Sequence, residues 1–63
     1  MIEEYLVTDC KKVAKFIEDK IDVEYEIAHN QHEVCGSVTV FDIDYDDHQR
    51  IRKYISTHGL WSE

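Results

Sequence analysis

The chain has 63 residues, with 14 Asp or Glu against 7 Lys or Arg and a formal net charge of −7. A chain of this length forms one domain, residues 1–63, and buries only about 60% of the surface that its unfolded form exposes, so a thin core is expected. The negative charge disfavours direct binding to DNA, RNA or anionic membranes. It favours basic protein partners.

The apolar segments fall far short of the roughly 20 residues that a membrane-spanning helix needs. The N-terminal segment, Met1-Ile2-Glu3-Glu4, is acidic where a signal peptide would be basic. We therefore expect a cytoplasmic protein with no membrane partner. In that compartment Cys10 and Cys35 are expected to be reduced thiols.

The first predicted elements are a strand over residues 2–7 and a helix that follows it. Thr8 or Asp9 can supply the side chain that caps the start of the helix. Apolar residues then recur at helical spacing, which predicts one buried stripe. The stripe consists of Cys10, Val13, Ala14, Ile17 and Ile21.

Residues 22–27 change to a period of two, which is typical of a half-buried strand. Val23, Tyr25 and Ile27 are predicted to face inward, and Asp22, Glu24 and Glu26 outward. The polar residues 29–33 predict a hairpin loop, and residues 34–45 the return strand. The inward set shifts along that strand from Val38 and Val40 to Phe41, Ile43 and Tyr45, so we expect a bulge or a strong twist near residues 40–41.

A second helix is predicted to begin at Asp46, with Gln49 completing a capping box, and to end near His58-Gly59. Leu60 and Trp61 form an apolar tail that must fold back onto the core or meet a partner. Four tyrosines at strand or helix positions are predicted to be core residues. They are Tyr5, Tyr25, Tyr45 and Tyr54.

The element order β-α-β-β-α predicts an α+β domain with an open three-stranded sheet, the third strand in the middle, and both helices on one face. This topology resembles a ferredoxin-like fold that lacks its last strand. The missing strand leaves a sheet edge without a neighbour. Together with the thin core and the apolar tail, that edge predicts a homodimer.

No motif identifies a catalytic reaction, and we predict neither an enzyme nor a cofactor. His29-x-x-His32-x-x-Cys35 could offer zinc ligands, but its spacing matches no standard zinc motif and a solvated loop is the simpler interpretation. A nucleophilic Cys35 would need His32 or His48 as its base. The run of Asp42, Asp44, Asp46 and Asp47 offers oxygen ligands for a divalent cation, without the looping cage that calcium prefers.

The charges are segregated along the sequence. All seven basic residues fall in the two predicted helices, whereas the strands and loops carry only acids. Asp22, Glu24 and Glu26, with Asp42 and Asp44, are therefore expected on or beside the open face of the sheet. Such a face is either a solvated surface that aids solubility or a surface that docks a positively charged protein.

Alternate residues of a strand repeat every ~6.6 Å, and a duplex carries one phosphate per ~3.4 Å along each strand, so rows of carboxylates can imitate a phosphate backbone. In size and charge layout the chain resembles the small acidic DNA-mimic inhibitors of phages. The resemblance implies binding and inhibition of a basic DNA- or RNA-binding protein. The alternative is a regulatory or assembly module that binds a protein through Trp61 and the free sheet edge. The predicted partner-binding residues are Asp22, Glu24, Glu26, Asp42, Asp44, Asp46, Asp47 and Trp61.

Overall fold

A computed structural model describes residues 1–29 and 35–62 of the chain. The strands are β1 (Glu3–Val7), β2 (Tyr25–His29) and β3 (Gly36–Val40), and the helices are α1 (Cys10–Phe16), which continues into a π-helical turn (Ile17–Ile21), and α2 (Tyr45–Thr57). The sheet order is β1-β3-β2, and β3 is antiparallel to both neighbours. The predicted α+β fold, with the third strand in the middle, is confirmed.

One face of the sheet packs against the helices and forms the core. The register places Tyr5 and Ile27 on either side of Val38, and residues directly opposite one another point to the same face. This face contributes Tyr5, Val7, Val38 and Val40 to one buried cluster that also contains Val13 and Ile17 of the first helical segment and Ile51 and Ile55 of α2.

The first helical segment starts where the sequence predicts and ends in an unexpected way. The Asp9 carboxylate caps α1 by accepting from the Lys12 N–H at 3.1 Å. The segment then widens into the π turn, where the Asp22 N–H donates to the Ile17 carbonyl at 2.7 Å. Asp22 has a φ of 61°, so it ends the turn, and β2 begins only at Tyr25 rather than at Asp22 as predicted.

The return strand is shorter than predicted, because β3 ends at Val40. Glu3 lies opposite Val40, which would place Met1 opposite Asp42, yet the Ile43 N–H donates to the Met1 carbonyl at 3.0 Å. The pairing therefore shifts by one residue at Asp42, whose φ is 55°. The irregularity predicted near residues 40–41 is real and lies just past the end of the strand.

The start of α2 corrects two predictions. Asp44 is the N-cap, and its carboxylate accepts from the Asp47 N–H at 2.8 Å, so the predicted cap at Asp46 was wrong. Tyr45 is the first residue of the helix and is 66% exposed, so its prediction as a core residue was also wrong. At the other end, Gly59 takes the predicted left-handed conformation, with a φ of 63°.

The apolar tail folds back onto the domain. Leu60 is buried in the core, and its carbonyl accepts from the Thr8 N–H at 2.7 Å. The Ser62 N–H donates to the Leu6 carbonyl at 3.0 Å, and Trp61 forms an isolated bridge with Val7. The tail thus covers part of the outer edge of β1, where a ferredoxin-like fold would place its last strand.

Candidate functional site: the open face of the sheet

The face of the sheet that points away from the helices carries both apolar and acidic side chains. Its rows follow from the register, in which Glu4 and Glu26 flank Thr39, and Leu6 and Ala28 flank Ser37. The Phe41 N–H donates to the Glu24 carbonyl at 3.1 Å and adds one more row. We call this surface the open face. It comprises Ile2, Glu4, Leu6, Glu24, Glu26, Ala28, Ser37, Thr39 and Phe41.

Two large apolar side chains are exposed on the open face, and Glu4 occupies the position between them. Leu6 of β1 is 58% exposed, and Ile2, just before β1, is 66% exposed. Single apolar residues are common on protein surfaces, whereas exposed apolar surface that is rimmed by polar residues marks interaction sites more often. Packing of the core does not account for the exposure of Ile2 and Leu6.

Three glutamates share the open face with Ile2 and Leu6: Glu4 lies between them, and the middle strand separates Glu4 from Glu24 and Glu26. Glu4 and Glu26 lie on opposite sides of Thr39, so two strand spacings, about 9.6 Å, separate their backbones. Glu24 precedes Glu26 by two residues, about 6.6 Å along the strand. Because no two of these glutamates are directly paired, their mutual repulsion is weaker than that of opposed like charges.

Most of the predicted aspartates lie away from the open face and have local structural roles. Asp44 caps α2, and Asp47 forms an ion pair with Arg50 at 3.2 Å. Asp46 lies in the first turn of α2, where the helix dipole favours a negative charge. Asp22 and Asp42 occupy left-handed positions that aspartate tolerates better than most residues.

Asp42 and Asp44, which were predicted on or beside the open face, lie past the end of β3, because the chain leaves the sheet after Val40. They do not continue the row of Glu24 and Glu26. Of the predicted partner-binding residues, the structure brings only Glu24 and Glu26 together on the open face. It adds Glu4, Ile2 and Leu6, which the sequence reasoning missed. The signal was present in residues 2–7, where apolar residues occur at both alternating sets of positions.

Trp61 is held by contacts within the domain. Its Nε1–H donates to the Ser56 Oγ at 2.8 Å, and its ring lies 6.4 Å from that of Tyr5. The side chain remains 37% exposed. These contacts hold Trp61 against the domain, and the exposed part of its surface is available to a partner.

The structure offers little support for cysteine or metal chemistry. Cys10 is a free thiol in the core, where burial, with smaller effects from Cys35 and Asp9, raises its pKa and so disfavours the nucleophilic thiolate. Its Sγ lies 3.9 Å from the Ser37 carbonyl oxygen. In residues 1–29 and 35–62, no group of three metal-ligating side chains converges. His32 and the side chain of His29 lie outside the described residues.

Two tyrosines make polar contacts that hold elements together. The Tyr5 hydroxyl lies 2.7 Å from Nδ1 of His48 and links β1 to α2. Burial, reinforced by the nearby Glu3 carboxylate, raises the pKa of Tyr5 to about 12. Tyr25 donates to the Glu18 carboxylate, and this hydrogen bond raises the pKa of Tyr25.

Comparison with protein-family models, with curated proteins and with solved structures found no match to this chain. None of the helices in the described part of the chain is long and apolar enough to cross a membrane.

Proposed function

We propose that this chain is a non-enzymatic interaction protein that docks a basic protein through the open face of its sheet. The observation that carries the proposal is the exposure of Ile2 and Leu6 beside three glutamates, on the one sheet surface that no described element covers. Protein interfaces commonly combine an apolar centre with a polar border.

The charges specify the chemistry of the partner. Glu4, Glu24 and Glu26 lie on the same face as Ile2 and Leu6, and the chain carries a net charge of −7. A partner with apolar side chains interspersed with Lys or Arg would cover Ile2 and Leu6 and neutralise the glutamates at the same time. Electrostatic attraction of this kind increases association rates and excludes acidic partners.

The sharper form of the proposal is that the partner is a DNA- or RNA-binding protein and that this chain inhibits it by occupying its nucleic-acid site. Support comes from the acidic charge and from the spacing of Glu24 and Glu26 along the strand. A photocrosslinking residue at position 6 should capture such a partner. We expect duplex DNA or RNA that is added before irradiation to prevent this crosslink. Crosslinking of a partner that is still bound to nucleic acid would contradict inhibition by mimicry.

The open-face proposal is tested by a nuclear magnetic resonance titration with a synthetic lysine-rich peptide that contains interspersed leucines. Amide shifts are expected to cluster at Leu6, Glu26 and Thr39, and to weaken when serines replace the leucines. Shifts centred on α2, or spread evenly over the acidic residues, would contradict docking at the open face.

A second candidate is a regulatory or assembly module that binds through a sheet edge and Trp61. The outer edge of β2 has no strand beside it among the described residues. Trp61 lies beside Val7 at the opposite edge of the sheet, so a partner would contact the two features separately. Strand addition relies on main-chain hydrogen bonds, so binding of this kind would survive high salt. Binding at the open face would weaken as salt screens the glutamates.

A further inference from the structure

The outer surface of the helix layer carries a basic groove, on the opposite side of the domain from the open face. Two adjoining depressions between the first helical segment and α2 share Phe16, Lys20 and Tyr54. Asp19 is the acidic residue among those that line them. The lining cations are Lys12, Lys15, Lys20, Arg50 and Lys53, five of the seven Lys and Arg residues of the chain. We call this surface the basic groove.

Stacked aromatic rings form the apolar part of the groove. The rings of Phe16 and Tyr54 lie 4.2 Å apart and within 8° of parallel, and the His58 ring lies 4.3 Å from that of Tyr54. Phe16 and His58 cannot both occupy the same side of Tyr54 at these distances, so both faces of the Tyr54 ring are in use. Together with the surrounding lysines, this aromatic lining suits a ligand that carries apolar side chains and carboxylates.

The lysines of the groove have no acidic partner within the described residues. Arg50 is engaged, because its guanidinium pairs with Asp47 at 3.2 Å and donates to the Lys20 carbonyl at 3.3 Å. Lys12, Lys15 and Lys53 are exposed, and the ion pair in the described part of the chain is the one made by Arg50. These lysines are therefore free to neutralise an incoming acidic surface.

We propose that the occupant of the basic groove is the open face of a second copy of this chain. The two surfaces are complementary, since Leu6 and Ile2 would meet the Phe16–Tyr54 side of the groove while the glutamates meet the lysines. The inference rests on the open face of the proposed function and adds a second ligand for it. Self-association and a basic partner then compete for one surface.

The geometry makes this contact head-to-tail. The open face and the basic groove lie on opposite layers of the domain, so each copy keeps one free surface after docking. A contact between two different surfaces extends into an open chain of subunits unless the rotation happens to close a ring. The expected assembly thus grows with concentration and does not stop at the homodimer predicted from the sequence.

Net charge opposes the assembly at low ionic strength. Each copy carries −7, and at 0.01 M salt the Debye length of about 30 Å matches the 31 Å length of the domain. At 0.15 M it falls to about 8 Å, so only neighbouring charges interact, and at 1 M the contact itself is screened. Association should therefore be strongest at intermediate salt.

Two neutralised variants provide the decisive test. The sheet variant carries Glu4→Gln, Glu24→Gln and Glu26→Gln, and the groove variant carries Lys12→Gln, Lys15→Gln and Lys53→Gln. In each variant alone, every contact between copies would lack either the glutamates or the lysines. Each variant should therefore sediment as a 7.5 kDa monomer. An equimolar mixture retains one intact contact per pair, so it should form a heterodimer of twice that mass that cannot extend.

Wild type, in contrast, should grow beyond a dimer in sedimentation velocity as its concentration is raised towards millimolar. Circular dichroism checks that both variants are folded, and any variant that is not folded is replaced by single substitutions, Glu26→Gln or Lys15→Gln. A wild type that stays monomeric at every salt concentration, or a mixture that stays monomeric, overturns the inference. So does a groove variant that associates as wild type does.

The same variants separate this inference from the proposed function. The groove variant keeps its open face, so it should bind the lysine-rich peptide as wild type does even though it no longer self-associates. Peptide binding without self-association would sink the inference and leave the proposed function standing. Self-association without peptide binding would contradict the proposed function and leave the inference standing.

Discussion

The two faces of the sheet differ although the same three strands form both. Tyr5 and Val7 point towards the helices and are 2% and 0% exposed, whereas their neighbour Leu6 points the other way and is 58% exposed. Burial by the helices explains the first set, since it removes apolar surface from water. No helix or strand of the described residues covers Leu6, which is why we propose that the open face serves binding.

The largest expected effect on the free energy of unfolding comes from a residue of the core. Ile51→Ala removes a fully buried side chain between α2 and the sheet, and such truncations cost about 2–5 kcal/mol. Leu6→Ala on the open face should change the free energy of unfolding by less than about 0.5 kcal/mol. Urea denaturation of both variants measures the difference. Equal losses would mean that Leu6 is part of the core.

A smaller loss is expected at the cap of α2. Asp44→Ala removes the carboxylate that accepts from the Asp47 N–H and should cost about 1 kcal/mol, within the range of 0.5–2 for N-caps. Asp44→Asn keeps an acceptor and should be nearly neutral. Asp46→Ala serves as the control for the cap predicted from the sequence. A larger loss at Asp46 than at Asp44 would contradict the observed cap.

The pH dependence tests the link between β1 and α2. The pKa of Tyr5 rises from 10.0 to about 12 on folding, so between these values the unfolded chain releases a proton that the folded chain retains. The resulting stability is fully present below pH 10 and is lost as the pH rises towards 12. The Tyr5→Phe variant has no hydroxyl to ionise and therefore lacks this pH dependence of stability. The stability of wild type relative to the Tyr5→Phe variant should therefore fall over that interval, and parallel curves would show that Tyr5 titrates normally.

Much of this architecture could be predicted from the sequence, because hydrophobic periodicity determines which side of an element is buried. The stripe from Cys10 to Ile17 and the alternation of Val23, Tyr25 and Ile27 were sufficient for the element types and their order. The boundaries near Asp22 and Asp42 were not predictable in the same way. Both depend on left-handed backbone positions, which glycine signals clearly and aspartate does not.

The candidate site was only partly predictable, for a related reason. A row of acidic residues in sequence does not remain a row in space once the chain leaves the sheet, and the capping role of Asp44 depends on where α2 begins. The basic groove was also missed. It needs two helices to be packed side by side before the lysines of one and the basic residues of the other line the same surface.

The sheet variant is expected to change stability least and binding most. The sheet variant carries Gln in place of Glu4, Glu24 and Glu26. Its free energy of unfolding should lie within about 0.5 kcal/mol of that of wild type, because all three residues are exposed. Thermal denaturation checks this. A strong loss of stability would show that these glutamates hold the sheet together.

The central claim is tested most directly by comparing two variants that each remove three negative charges. One is the sheet variant, and the other carries Asp22→Asn, Asp42→Asn and Asp46→Asn, which lie off the open face. Calorimetric titration with the lysine-rich peptide at 0.15 M salt should show affinity reduced at least about tenfold, or 1.4 kcal/mol, in the sheet variant and nearly unchanged in the other. Equal weakening of both variants would mean that net charge alone attracts the peptide, and would contradict a binding site on the open face.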